Sequence, residues 1–253
     1  MTKLILVANW KNHPSSPAEA GILLRGLAKK TLLFKKFSTF IAPPYSYFSM
    51  VGEKAHKYAD LATQDLSLVS KGTCTGEITQ EILKSFGVRL AIIGHSERRA
   101  LGESSESVSK KVALALKSGI TPLVCVGENE RDQDGEHFDL LREQVKTSLQ
   151  GITKQQVGKV ILAYEPVWAV GAQAKGSIEP AELSQAVIFI RKVLSDLYSR
   201  KVAESVVVLY GGSVDPTNAR ALVKESGVSG LLVGRASLDG QKFASIAESL
   251  LQK

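Results

Sequence analysis

The residues best equipped for chemistry are a carboxylate, an imidazole and an ammonium, each placed where an apolar run gives way to a turn. Residues 163–171 read Ala-Tyr-Glu-Pro-Val-Trp-Ala-Val-Gly, so Glu165 follows the apolar run 160–163 and precedes Pro166 and Gly171. A carboxylate on a strand end, followed by a segment able to hinge, has the placing of a general base. His95 follows the run Leu-Ala-Ile-Ile at 90–93 within Gly94-His95-Ser96-Glu97-Arg98-Arg99, and Asn9 and Lys11 follow the first apolar run. Gly211, Gly212 and Ser213 form one turn and Gly234 with Arg235 another, and successive backbone N–H groups in such turns cradle oxyanions. Taken singly, each residue has an ordinary reading: a solvated glutamate or lysine, a surface histidine, a turn-forming asparagine or glycine. Their joint placing at the ends of separate strands argues for a site.

The elements that must position them alternate. Strands are expected at 4–8, 39–42, 60–63, 90–93, 122–126, 160–163, 206–210 and 230–233, and helices at 17–30, 105–117, 138–149, 180–197, 216–225 and 242–252. Ser105 opens a helical run, and Pro17 and Pro216 suit first-turn positions, where a missing N–H costs nothing. Eight such strands with intervening helices, and no linker rich in Gly, Ser or Pro, predict an α/β fold: a single-domain closed (β/α)₈ barrel spanning residues 1–253. The first loop, Asn9-Trp10-Lys11-Asn12-His13, lacks the glycine fingerprint of an open dinucleotide-binding sheet. In a closed barrel the chemistry belongs at the carboxyl ends of the strands, where all the residues singled out above fall.

Composition narrows the classes. With 253 residues, 44% of them hydrophobic and 23% charged, the chain can bury a large core. Lys+Arg 32 against Asp+Glu 25 leaves +7, which suits an anionic partner, but the basic residues are spread out beyond pairs such as Lys29-Lys30 and Lys35-Lys36. No nucleic-acid partner is expected, because no basic motif interleaved with aromatics accompanies the charge. The apolar stretch before Asn9 is too short for a signal sequence or a membrane span. Cys74 and Cys125 form no Cys-x-x-Cys pattern, which points to a reduced, cytoplasmic setting. His13, His56, His95 and His137 have no ligand spacing, so no metal is expected.

Asn9-Trp10-Lys11, residues 92–99, residues 163–171 and Tyr210-Gly211-Gly212-Ser213-Val214 together resemble the triosephosphate isomerase family. Thr75-Gly76-Glu77-Ile78 and Cys125-Val126-Gly127-Glu128 extend the likeness along the whole chain, in family order. The resemblance implies interconversion of dihydroxyacetone phosphate and D-glyceraldehyde 3-phosphate through an enediolate, in glycolysis and gluconeogenesis, without cofactor or metal. It implies Glu165 as base, neutral His95 as electrophile, Lys11 as fixed positive charge and Glu97 as its support. Asn9, Trp10, Lys11, Gly171, Ser213, Gly234 and Arg235 are the implied substrate-binding residues. It also implies a homodimer, the loop around Thr75 reaching the partner's site. The chain departs from the family pattern at four places. Arg235 replaces a frequent glycine, so the backbone donor survives while the side chain must point away from the phosphate. Ala172-Gln173-Ala174 ends the closing loop where Thr-Gly-Lys is common, Gln64-Asp65 replaces Gln-Asn, and Cys74 stands where Phe is frequent.

The residue types suit that reaction on their own terms. Moving a proton between adjacent carbons needs a base over carbon and a polariser beside oxygen. Excluding water around Glu165 would raise its basicity, and a helix start at Ser96 would disfavour the imidazolium form of His95. A fixed charge such as Lys11 at about 4 Å, with an effective dielectric near 20, is worth roughly 4 kcal/mol. Rival readings remain at this stage. A serine hydrolase would use Ser96 or Ser213, but both segments lack the last glycine of a nucleophile elbow. A Schiff-base aldolase would need a lysine where Glu165 stands, and a non-catalytic binder leaves Glu165 without a purpose.

Overall fold

A computed structural model describes residues 3–70, 72–131, 135–169 and 176–252. The β-branched runs form strands β1 Ile5–Asn9, β2 Ser38–Ala42, β3 Asp60–Thr63, β4 Leu90–Ile93, β5 Thr121–Val126, β6 Ile161–Tyr164, β7 Val207–Tyr210 and β8 Gly230–Val233, each within one residue of its expected bounds. Every strand pairs in parallel with the next, and β8 returns to β1, so the sheet is a closed barrel. The closing seam depends on Gly230. Its φ is +150°, and a Cβ there would lie 2.0 Å from the Ile5 carbonyl oxygen.

Side chains alternate along each strand, and the alternation decides what the barrel can present. Val7, Leu90, Ile92, Leu123, Cys125, Ala163, Leu209 and Leu232 pack together as the barrel interior. The residues between them, among them Leu6, Ala8, Ala91, Ile93, Val124, Leu162, Val208 and Leu231, join the larger core beneath the helices. Followed upward, the interior phase delivers Asn9 on β1, and then Glu165, Gly211 and Gly234 just past β6, β7 and β8. One side chain of real length, Glu165, is thus aimed inward among small neighbours.

The expected helices form as Pro17–Ala28, Ser105–Lys117, Glu136–Ser148, Pro180–Leu197, Ala219–Ser226 and Gly240–Ser249. Ser16 caps the first by accepting from Glu19 N, and Ser104, not Ser105, caps the second by accepting from Ser107 N. The expectation that Pro216 begins a helix is corrected. Asp215 Oδ1 accepts from the backbone N–H groups of Thr217 and Asn218, which holds 215–218 as a turn and delays the helix to Ala219. Ser96–Ala100 begins at the helix start expected at Ser96, and five helices of four to eight residues were not anticipated: Thr31–Phe34, Phe48–Ala55, Gln80–Ser85, Lys154–Val157 and Arg200–Ser205. Each is too short to show a helical period in sequence. Among the described residues, no helix is long and apolar enough to cross a membrane.

Candidate active site

At the carboxyl end of the barrel lies a cavity of about 740 Å³, lined in part by Asn9, Lys11, His95, Glu165, Ser213 and Gly234. The volume suits a small organic ligand. Glu165 is only 1% exposed. Its backbone is held by the bond from Glu165 N to the Val126 carbonyl at 2.8 Å, and its side chain occupies space left by Gly211, where a Cβ would lie 2.6 Å from Glu165 Cγ. Gly127 is equally constrained, since a Cβ there would lie 2.0 Å from the Glu165 carbonyl oxygen. One carboxylate oxygen, Oε2, accepts from Ser96 N at 3.2 Å. The other, Oε1, is buried without a hydrogen-bond partner among the described residues, although His95 Nε2 lies 3.4 Å away. A buried carboxylate oxygen with an unused lone pair is costly unless a function employs it.

His95 ends up here through Gly94, whose φ of +70° turns the chain after β4. The imidazole is nearly buried and sits at the start of Ser96–Ala100, where Nδ1 accepts the Glu97 backbone N–H at 3.2 Å. An accepting Nδ1 carries no proton, so the ring's hydrogen is on Nε2, toward the cavity. Lys11 has the sole positive φ outside glycine among the described residues, +53°. Such a backbone costs about 1–3 kcal/mol and persists where its surroundings over-determine it. Here Asn9 Oδ1 accepts Lys11 N at 3.0 Å, and Gln64 Nε2 donates to the Lys11 carbonyl at 2.6 Å. Lys11 Nζ reaches Glu97 Oε1 at 2.5 Å. Gln64 was not anticipated as a site residue; nothing in a lone Gln shows that it will hold a carbonyl 53 positions earlier in the chain.

Behind His95 runs a buried ionic network. Lys111 Nζ bonds Asp65 Oδ1 at 2.6 Å and also Glu103 Oε1, while Arg98 Nη2 meets Asp65 Oδ2 at 3.0 Å. Glu103 Oε2 in turn accepts Gly94 N at 3.1 Å, beside His95. Burial raises the Asp65 carboxyl above its usual range, against the opposing pull of Lys111. Arg99 ties the ends of two strands together, donating to the Gly94 carbonyl at 2.8 Å and the Cys125 carbonyl at 3.2 Å. Burial lowers its guanidinium below the usual range, and also pushes the Cys125 thiol well up.

The far end of the cavity holds the two glycine-rich turns. Gly234 lies close to Lys11: a Cβ there would stand 4.0 Å from Lys11 Nζ. Ser213 lines the cavity, but its N–H and hydroxyl both bond the Ala169 carbonyl, at 2.9 and 2.7 Å. A bound phosphate would have to displace Ala169 to recruit either donor. Arg235 is exposed on the cavity rim, and Lys242 and Asn218, which no motif had marked, line the same end. Trp10 is placed differently from the other expected binding residues. It is fully buried in the core between strands and helices, and its indole does not line the cavity. Gly171 and the Ala172-Gln173-Ala174 departure lie outside the described residues. Among the described residues, no group of three His, Cys, Asp or Glu side chains is arranged to hold a metal ion.

The profile of the triosephosphate isomerase family matches residues 4–250. Similar proteins bear the same name. One from Citrifermentans bemidjiense is 39% identical over 97% of this chain and 98% of its own. Another from a Thermoanaerobacter species is 37% identical, covering 97% and 99%, and one from Borrelia garinii subsp. bavariensis is 37% identical, covering 99% and 100%.

Proposed function

Because the chain belongs to the triosephosphate isomerase family, and so interconverts dihydroxyacetone phosphate and glyceraldehyde 3-phosphate, we propose that Glu165, His95 and Lys11 carry that reaction. The observation that supports this most is the buried Oε1 of Glu165 on the cavity wall, without a hydrogen-bond partner among the described residues and 3.4 Å from His95 Nε2. Glu165 removes a proton from carbon 1 of dihydroxyacetone phosphate. The C–H electrons form a double bond between carbons 1 and 2, and the carbonyl pair moves onto oxygen 2. His95, neutral with its hydrogen on Nε2, donates to that oxygen, and Lys11 supplies positive charge to the enediolate. The hydroxyl proton on oxygen 1 is transferred to oxygen 2, and Glu165 returns its proton to carbon 2, which leaves an aldehyde at carbon 1. Glu97 positions Lys11, and Asn9 and Gln64 hold the backbone beneath it. The phosphate sits at the end formed by Ser213, Gly234 and the backbone N–H of Arg235, with Gly171 as a further donor from beyond the described residues.

A coupled assay with glyceraldehyde 3-phosphate tests the reading. Glu165→Gln should lower kcat by on the order of 10² to 10⁴, the usual worth of a positioned base. An unchanged kcat would remove Glu165 from that role.

We also propose that the whole chain, as one barrel domain, works as a cytoplasmic homodimer. A second cleft of about 540 Å³ opens on the other side of Lys11, lined by Tyr45, Gln64, Asp65 and Glu97, with Leu101 at its edge 80% exposed. It has room for the segment around Thr75 of a second copy. Sedimentation at micromolar concentration should give twice the chain mass; a fully active monomer would sink the proposal. Both cysteines are free, one exposed and one buried, as a reducing compartment permits.

A further inference from the structure

β5 runs on past the point where one of its neighbours has left. β4 pairs with it only as far as Ile93 beside Val124, and then turns away at Gly94. On the other side the chain keeps its partner, since the Val126 and Glu128 carbonyls accept from Glu165 N and Val167 N at 2.8 and 2.9 Å. Backbone groups alternate along a strand, so Cys125 and Gly127 face the side that β4 vacates and need other partners there. Side chains supply them. Arg99 Nη2 donates to the Cys125 carbonyl at 3.2 Å. Gln144, which no motif had marked, serves Gly127 twice: its Oε1 accepts Gly127 N at 2.8 Å, and its Nε2 donates to the Gly127 carbonyl at 3.1 Å. The side-chain amide thus stands in for a peptide of the missing strand, offering an acceptor and a donor side by side. Its helix, Glu136–Ser148, is tied to the same edge, because the Ser148 hydroxyl, four residues on, accepts from Arg99 Nη2 at 3.3 Å.

What Gly127 touches gives this clamp its meaning. Bare of a side chain, it lies against the peptide joining Glu165 to Pro166, where a Cβ would stand 2.0 Å from the Glu165 carbonyl oxygen and 3.1 Å from Pro166 N. A cavity of about 400 Å³, lined in part by Gly127, Gln144, Ser96 and Glu165, lies beside it. On that side Gly127 has room to shift, and the two bonds from Gln144 resist the shift. We propose that Gln144 is a positioning residue for Glu165: its amide fixes Gly127, Gly127 fixes the backbone of the base, and the carboxylate is thereby held at the carbon it deprotonates. Gln144 lies outside the lining of the active-site cavity, so it acts through that backbone and not on the substrate. The proposal rests on Glu165 being the base, and its test separates the two.

The experiment measures kcat and KM for glyceraldehyde 3-phosphate in the wild type, Gln144→Met, Gln144→Asn, Glu165→Gln and the double variant Gln144→Met/Glu165→Gln, with circular dichroism on each. Met keeps the length of the side chain and loses both bonds, whereas Asn keeps the amide but is one methylene too short to reach Gly127 in the same way. Gln144→Met should lower kcat by about 10- to 100-fold, the upper figure being the cost of a displacement near 1 Å, with KM within about 2-fold of wild type. Gln144→Asn should fall in the same direction, and it carries the test alone if Gln144→Met does not fold. In the Glu165→Gln background, where no base remains to be positioned, Gln144→Met should change kcat by less than about 2-fold. A kcat within 2-fold of wild type in the folded Gln144 variants overturns the proposal. So does a rise in KM that matches the fall in kcat, or an equal loss of kcat in both backgrounds, since either would place the action of Gln144 elsewhere than on Glu165. A Glu165→Gln variant with wild-type kcat would instead strike the reading of Glu165 as the base.

Discussion

Glu165 works because of what its neighbours lack. Its side chain fills the room left by Gly211, and its carbonyl passes over Gly127, so two glycines, just past the strands that flank β6, set the position of one carboxylate. Neither glycine has a positive φ; each is required by close approach alone. Gly211→Ala therefore places a methyl group 2.6 Å from Glu165 Cγ and must push the carboxylate away. A displacement near 1 Å costs on the order of 10² in rate when geometry governs the step. We expect kcat to fall by about that factor with the far-ultraviolet circular dichroism unchanged; a variant within 2-fold of wild type would show that Glu165 tolerates the shift. The interior phase of the strands was legible in the sequence, and so was Glu165 at the end of one of them. The hydrogen bonds that orient the site were not. Ser96 N to Glu165 and Gln64 to Lys11 join residues 69 and 53 positions apart, and no local pattern encodes such a meeting.

At the scale of elements, the two-residue bend after β4, Gly94-His95, depends on the ionic network behind it. Lys111 belongs to Ser105–Lys117 and bonds Asp65 and Glu103, and Glu103 holds Gly94 at the root of the His95 turn. Removing the single cation shared by two nearly buried carboxylates leaves charge without compensation, which typically costs 3–5 kcal/mol. Lys111→Met should lower the urea-unfolding free energy by about that amount. Asp65→Asn should cost much less, because Glu103 keeps its pairing with Lys111. Equal losses in the two variants would show that the network is not centred on Lys111. The sequence marked Asp65 only as a departure from a family pattern. Its role became visible once Ser105–Lys117 was seen to carry Lys111 beneath the loop that follows β3. The long helices and all eight strands could be read from periodicity and turn residues, and so could the start of Ser96–Ala100, whereas Phe48–Ala55 and the other short helices could not, and Pro216 misled because an Asp215 turn claimed it first.

The molecule as a whole divides its reactive groups by depth. Cys125 points into the barrel interior beneath Glu165, and burial followed by the Glu165 charge holds its thiol far from ionising. Cys74 is exposed. A thiol reagent such as Ellman's should therefore leave Cys125 untouched in the folded protein and reach it only in denaturant; a fast-reacting Cys125 in the native state would mean that the barrel interior opens readily.

The seam between β8 and β1 has a consequence for how the protein is made. Ile5 pairs with Gly230, and Val233 with Ala8, so one edge of the first strand waits for nearly the last. At a synthesis rate of about 5–20 residues per second, that edge stays unpaired for on the order of tens of seconds while the chain leaves the ribosome. An apolar strand of Ile, Leu, Val and Ala with open backbone groups is a template for wrong partners throughout that time. The newborn chain therefore meets its greatest aggregation hazard at its first strand, and the end of the wait is set by Gly230, without which the last strand could not dock.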